Sequence, residues 1–289
     1  MSTRDTIIQT AERLEALPPL AAELIGLLQS HDADVNRVAE VIAHDPANAA
    51  NVLKLANSAA MAPRSPITSV KQAVMRIGLK RTTELVLHGV VAKHAGKPVL
   101  GYDLAPGALW EFSAAAAIAT EKLAQATGDD ASPEAFTAGL FQDLGKLVLG
   151  HFVRVDSAPI HKVAFSQNRS FEEAERVVLG IDHAEVGAIL LDSWGIGGTV
   201  RDAVRWHHEP ESAPEQARPI ARLVHAAGQI VNLAGIGGGA DGLHYKPSAS
   251  ALNELQVRPK VVEQVLLETT SQLESLRELT RELSESSAP

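Results

Sequence analysis

Ala138–Leu149 reads AGLFQDLGKLVL, an aspartate and a lysine set among leucines. The apolar positions Phe136, Leu140, Leu144 and Leu147 recur at the three- and four-residue spacing of one helix face. Ser132-Pro133 just upstream supplies a helix start, so the stretch reads as one amphipathic helix carrying Asp143. A charged side chain on such a helix needs a partner. The spacing alone leaves Lys146 at i+3, a nearby backbone group, or a metal ion held inside a helix bundle.

The same helical grammar extends in both directions. Asp34 caps a segment with Val35, Val38, Ala39 and Ile42 on one face. Asp45 caps the next, with Pro46 at its first position. Ser69 with Gln72 reads as a capping box and Gly78 as a stop. Leu109, Phe112, Ala116, Ala119 and Leu123 form a stripe closed by Gly128. Asp182 with Glu185 and Thr199 with Asp202 read as two further capping boxes, the second opening a helix that carries Val200, Ala203, Val204 and His207 on one face. His208 falls on the side of Arg201 and Arg205, and His183 in the first turn of its helix. Pro259 opens a long final helix with Val262, Leu266, Thr269, Leu273, Leu276 and Leu283 in register. It fits packing on the protein's own body or a homodimer contact. Period-two alternation is almost absent, so the fold class is all-α.

Two breaks divide the chain. Residues 94–107 carry Gly96, Pro98, Gly101, Pro106 and Gly107. Residues 234–250 are glycine-rich and read as a flexible loop. The expected organisation is an N-terminal helical sub-domain over 1–96, a second helical bundle over 97–234, and the loop with the C-terminal amphipathic helix over 235–289.

Composition narrows the function. The 289 residues carry a formal net charge of −9, which disfavours nucleic acid and anionic membrane surfaces as partners. There is no cysteine, so disulfides, thiolate metal sites and cysteine nucleophiles are excluded, in keeping with a cytoplasmic location. No apolar run approaches ~20 residues, and the first twenty residues hold no signal-peptide segment. Asp32–Asn36 (DADVN) mimics the start of a calcium loop, but Arg37 and Ala43 stand where that loop needs glycine and glutamate. Gly235–Gly239 follows no strand and precedes no lysine motif, so it is not a phosphate loop.

Seven segments in order resemble the HDOD family, bacterial domains related to the HD metal-dependent phosphohydrolases and mostly non-catalytic. They are LPPL (17–20), VIAHDPANAANVLKLANSA (41–59), ITSVKQAVMRIGL (67–79), LWEFSAAAAIATEKLA (109–124), the opening motif, VVLGIDHAEVGAILLDSWGI (177–196) and AVRWHHEP (203–210). The resemblance implies that the second bundle is HD-like. Catalytic relatives hold one or two divalent ions with a first histidine, a His-Asp pair and a late aspartate. Those positions fall at Phe112, Gln142-Asp143 and Gly228, so only Asp143 keeps a ligand type. His183, His207 and His208 match histidines the family pattern often keeps. A phenyl ring donates no lone pair, and a carboxamide is a poor exchange for imidazole at a transition-metal site.

The reading that follows is a non-enzymatic signalling module with no metal and no cofactor, working through contacts with signalling proteins. Family resemblance places such modules beside two-component or cyclic-dinucleotide signalling. No receiver, GGDEF-like or EAL-like segment is visible, so a stand-alone adaptor or a module coupled to a signalling protein encoded elsewhere is expected, with the cleft between sub-domains and the C-terminal helix as contact surfaces. Two rivals stay open. One is a metal-dependent phosphohydrolase or phosphodiesterase using Asp143, His183, His207 and His208. The other is a nucleotide or small-molecule sensor in which Lys146, Arg201 and Arg205 meet an anion.

Overall fold

The computed structural model describes residues 2–13, 18–29, 34–58, 61, 63, 65–128, 133–153, 158–239, 241–242, 248 and 253–285. Helices account for most of them: α1 (Thr3–Glu12), α2 (Pro19–Gln29), α3 (Val35–Ala43), α4 (Pro46–Ala56), α5 (Val70–Ile77), α6 (Leu79–Ala95), α7 (Ala108–Thr127), α8 (Pro133–Phe141), α9 (Gly145–Val153), α10 (Ala158–Gln167), α11 (Phe171–Leu179), α12 (His183–Ser193), α13 (Gly198–Arg205), α14 (Arg218–Leu233) and α15 (Pro259–Glu285). Among the described residues no strand forms; one isolated antiparallel bridge joins Val99 and Leu104. The fold is all-α. No helix among the described residues is long and apolar enough to cross a membrane.

Contacts gather the chain into two compact units. One takes Leu17–Val90 and Glu274–Pro289, the other Met1–Ala16 and Val91–Leu273. The division differs from the sequence boundaries at 96/97 and 234/235 in three ways. It falls within α6, because that helix runs on past Val90 without a break. The first helix joins the later unit, because Arg4 anchors it there: its Nε donates to the Gly180 carbonyl at 3.1 Å and its guanidinium pairs with Glu185 at 2.6 Å. Finally, α15 as far as Leu273 belongs with α7–α14. Val265, Thr269 and Leu273 are buried, and Lys122 of α7 pairs with Glu268 at 3.3 Å.

The smaller unit is built as its caps dictate. Asp34 accepts from the amides of Asn36 and Arg37, Asp45 from those of Ala47 and Asn48, and Ser69 from that of Gln72. Gly78 ends α5 at φ 92°, a conformation that glycine adopts without steric cost. Leu20, Leu24, Val38, Ile42, Val52 and Val74 pack in its core. Asn57, just past α4, ties the following loop down: its Nδ2 donates to the Ile67 carbonyl and its Oδ1 accepts from the Ile67 amide, both at 2.8 Å.

The larger unit departs from expectation at the deciding stretch. Residues 133–153 form two helices, not one. Between Phe141 and Gly145 the backbone bonds tighten to i→i+3, Leu144 N to Phe141 O at 3.1 Å and Lys146 N to Asp143 O at 3.0 Å. Asp143 therefore sits on a tight turn, with Phe136, Leu140 and Leu144 still in the core. Close packing explains the break. A Cβ at Gly145 would lie 1.9 Å from the His183 carbonyl oxygen, so α9 meets the start of α12 backbone to backbone. Ser132, read as the opener, lies outside the described residues, as do Leu283's side chain and much of 240–250.

Two other local readings change. α13 starts at Gly198 behind Gly197 with no side-chain cap. Thr199 is thus inside the helix, and Asp202 accepts from Arg201 Nε at 2.7 Å instead of forming a box. The helix ends at Arg205, which leaves His207 and His208 in the bend that follows.

Gly145→Ala is expected to destabilise the protein by at least about 2 kcal/mol, because the carbonyl in its way cannot yield as a flexible side chain would. Gly89→Ala is the counterpart: Gly89 is exposed inside α6 with no atom within 4 Å of the added Cβ, and a gain of about 0.5–1 kcal/mol is expected. Urea unfolding of the two variants against the parent measures both.

Candidate functional site

The turn delivers Asp143, 3% exposed, with its two oxygens facing different partners. Oδ2 accepts from Lys146 Nζ at 2.8 Å. Oδ1 lies 3.4 Å from His183 Nε2 and 3.9 Å from His207 Nε2. Lys146 thus answers one oxygen, as the spacing allowed, and imidazole nitrogens face the other. His183, His207 and His208 converge, each offering a ring nitrogen, and these atoms all lie within 4.8 Å of one another.

Each ring is oriented from behind. His183 opens α12, where Asp182 caps the helix by accepting from the Glu185 amide at 2.7 Å. The backbone N–H of His183 and its Nδ1 both reach Glu175 Oε2, at 2.9 and 2.8 Å. The other oxygen of Glu175 accepts from the Tyr102 hydroxyl at 2.6 Å. His207 sets its Nδ1 2.8 Å from the Val204 carbonyl. His225 sets its Nδ1 2.7 Å from the His207 carbonyl and accepts from the Ser248 amide at Nε2. His208 Nε2 lies 2.8 Å from His183 Nε2, so one proton is shared along that line.

Protonation follows from these contacts. Burial works against a charged His183, but Glu175 outweighs it and raises the imidazole to about 9. At neutral pH His183 is therefore an imidazolium, donating to Glu175 and to His208. Burial lowers His207 to about 3 and takes His208 well below the usual histidine range, so both stay neutral. Burial alone would raise Asp143, but Lys146, His183 and His207 hold it below the ordinary value.

Lys146 is itself 5% exposed and closed in. Its ammonium pairs with Asp143 at 2.8 Å and Asp241 at 2.6 Å, 5.6 Å from the centroid of the Phe112 ring and 5.7 Å from that of Tyr102. The space left between Leu104, Phe112, Asp143, Lys146, Asn232 and Asp241 is about 10 Å³, room for one water. Gln142 is buried beside Asp143 in the turn, and its Nε2 finds no hydrogen bond. Gly228 lies buried in α14, one turn before Asn232. Arg201 pairs with Asp192 and Asp202, and Arg205 with Glu185 and Asp182, so internal carboxylates already answer each expected anion contact.

The donor set fits one divalent cation. With its Nδ1 proton on the Val204 carbonyl, His207 points an Nε2 lone pair toward Asp143 Oδ1. Two lone pairs facing each other across 3.9 Å are what a shared cation satisfies. Asp143, His183, His207 and His208 would hold it, a nitrogen-rich set suited to zinc, iron or nickel. On the Oδ2 side, Lys146 already supplies the positive charge.

Several of these residues gave little sign in the sequence. Glu175 is one of several acids in FEEAER and nothing in the pattern singles it out. Asp241 and Ser248 lie in the stretch read as a flexible loop, yet Gly237, Gly239 and Asp241 line the space beside Asp143 and Ser248 donates to His225. A Cβ at Gly237 would meet the Ala108 carbonyl at 2.5 Å, and one at Gly239 the Tyr102 carbonyl at 2.6 Å. Tyr102 did carry a signal, as one of two tyrosines in the chain.

Histidines and an aspartate converging inside a bundle of helices define an HD-related domain. A family model, the HDOD domain, matches residues 14–210, and the chain belongs to that family. Among solved structures it is similar to an HDOD domain protein of unknown function from Geobacter sulfurreducens (24% identity, 98% of each chain, TM-score 0.69). It is also similar to a Marinobacter aquaeolei VT8 protein described as "Putative signal transduction protein" (21%, 98% of this chain and 62% of that one, 0.70). A third, from Shewanella amazonensis SB2B, is described as "Putative phosphohydrolase" (26%, 97% and 94%, 0.61). An uncharacterized protein of Treponema pallidum is 26% identical over 225 residues, which are 76% of this chain and 43% of that relative's length.

Stability should track the ring charges in chelator-treated protein. The raised value of His183 contributes stability that is complete below about 6.5 and disappears as pH rises through about 9. The lowered value of His207 works in the opposite direction, contributing above about 6.5 and disappearing as pH falls toward 3. Urea midpoints measured from pH 5 to 9.5 should peak near neutrality, and His183→Gln should flatten the alkaline limb. An alkaline limb of unchanged slope in that variant would contradict the assignment.

Proposed function

We propose that this chain is a regulatory module that acts through protein–protein contacts, its HD-derived centre kept as a structural knot and not used for turnover. One observation carries this reading: the space beside Asp143 is about 10 Å³, whereas sites for small substrates run to about 300–1,000 Å³. Phe112 fills the position where the family pattern has its first histidine, Gln142 stands for the second, and the Lys146–Asp241 pair closes what remains. The description of the Marinobacter structure supports the signalling part, and the cysteine-free, acidic chain suits a partner that is a cytoplasmic protein.

A second reading has its own observation. The convergence of Asp143 with three imidazoles would let one bound cation activate a water, and the Shewanella neighbour's description agrees with hydrolysis. The protein's own groups would then hold the ion and keep His183 aligned through Glu175.

Elemental analysis of protein purified without added metal, paired with hydrolysis assays on phosphate monoesters and cyclic dinucleotides, separates the two. The expected result is at most one equivalent of transition metal per chain, lost in Asp143→Ala, with no turnover above background in either protein. Hydrolysis by the parent that disappears in Asp143→Ala would replace the first reading with the second.

A further inference from the structure

Ala234–Gly242 contributes Gly237, Gly239 and Asp241 to the wall of the space beside Asp143. Among its described residues, backbone hydrogen bonds run locally: Gly235 N to Asn232 O, Ile236 N to Val231 O, and Gly242 N to Gly239 O. Its residues at the contact are mostly glycines, which bury no side chain. The backbone nonetheless lies against Ala108, Phe112 and Tyr102 closely enough that a methyl group would not fit. The pair between Asp241 Oδ2 and Lys146 Nζ at 2.6 Å, with side chains 13% and 6% exposed, ties it there. A segment whose described residues bury little apolar surface and are tied by a strong polar tether belongs to the low-stability end of a fold. A buried ion pair broken on one side leaves an uncompensated charge, so the tether is strongly directional.

We infer that residues 234–239 together with Asp241 form a strap latched over the Asp143 centre by the Asp241–Lys146 pair, and that releasing the latch uncovers the centre. This rests on the closed-centre reading and adds the element that closes it. The wall that remains without the strap is formed by Leu104, Leu109, Phe112, Asp143, Lys146 and Asn232. Release would therefore leave Lys146 and Asp143 facing solvent.

The chain has no cysteine, so a single introduced thiol reports opening without background. Leu104 is 4% exposed, and its side chain lies under Gly239. In a Leu104→Cys protein, labelling by dithiobisnitrobenzoate should be slow. Adding Asp241→Asn should accelerate it by about tenfold or more. Adding Lys146→Met instead should accelerate it similarly, and both together should be no faster than the faster single, because they remove the same pair. A thiol placed at Leu190, fully buried in α12, should show no acceleration. Hydrogen–deuterium exchange of the peptide spanning 234–242 in the cysteine-free protein gives the same comparison if Leu104→Cys does not fold. Unchanged labelling and exchange in Asp241→Asn, or acceleration equal at Leu190, would overturn the latch. Neither result bears on turnover, and turnover by the parent would overturn the closed-centre reading while leaving the latch intact.

Discussion

Asp143 divides its carboxylate between two positive environments, and the larger unit is arranged around that division. Oδ2 holds an ammonium, and Oδ1 faces imidazoles. A carboxylate this deeply buried is tolerable only when both oxygens are answered, since desolvation of an unpaired charge costs several kcal/mol. Each answering group needs its own support in turn. Lys146 is steadied by Asp241 and by the rings of Tyr102 and Phe112, and His183 by Glu175, which Tyr102 also holds. Tyr102 thus touches both halves of the network. A hydroxyl between residues read as a linker becomes one of its central members.

The sequence announced the elements more faithfully than their edges. Caps at Asp34, Asp45 and Ser69, and the apolar stripes behind them, are local signals, and local signals survive folding because they satisfy the orphan amides of a single turn. The break at Gln142–Leu144 is not local. It exists because Gly145 must approach the His183 carbonyl, thirty-eight residues away, and apolar periodicity runs through the break unaltered. For the same reason the histidine bend after α13 was read as helix.

The candidate centre was legible in its members and not in its wiring. Asp143, His183, His207 and His208 stood out by chemistry and by family pattern. Glu175, Asp241 and Asn232 did not, since an acid in an acidic helix or beside glycines is ordinarily a solvated residue. Only tertiary structure distinguishes the Glu175 carboxylate, fully buried on three donor contacts, from Glu173 two residues earlier, which accepts from the Ser170 amide at a helix start.

Charge also sets the balance of the buried network. Asp143, Asp241 and Glu175 are answered by one ammonium and one imidazolium, which leaves the buried network one negative charge in excess. A divalent cation that displaced the shared proton of His183 would bring the sum to neutral. Three imidazoles and one carboxylate oxygen converge where the excess lies. Removing Asp143, Lys146, Glu175 or His183 would bare a charge that the others cancel. The network therefore holds α9, α11 and α12 on one another, through Lys146, Glu175 and His183, by electrostatics that would fail piecemeal.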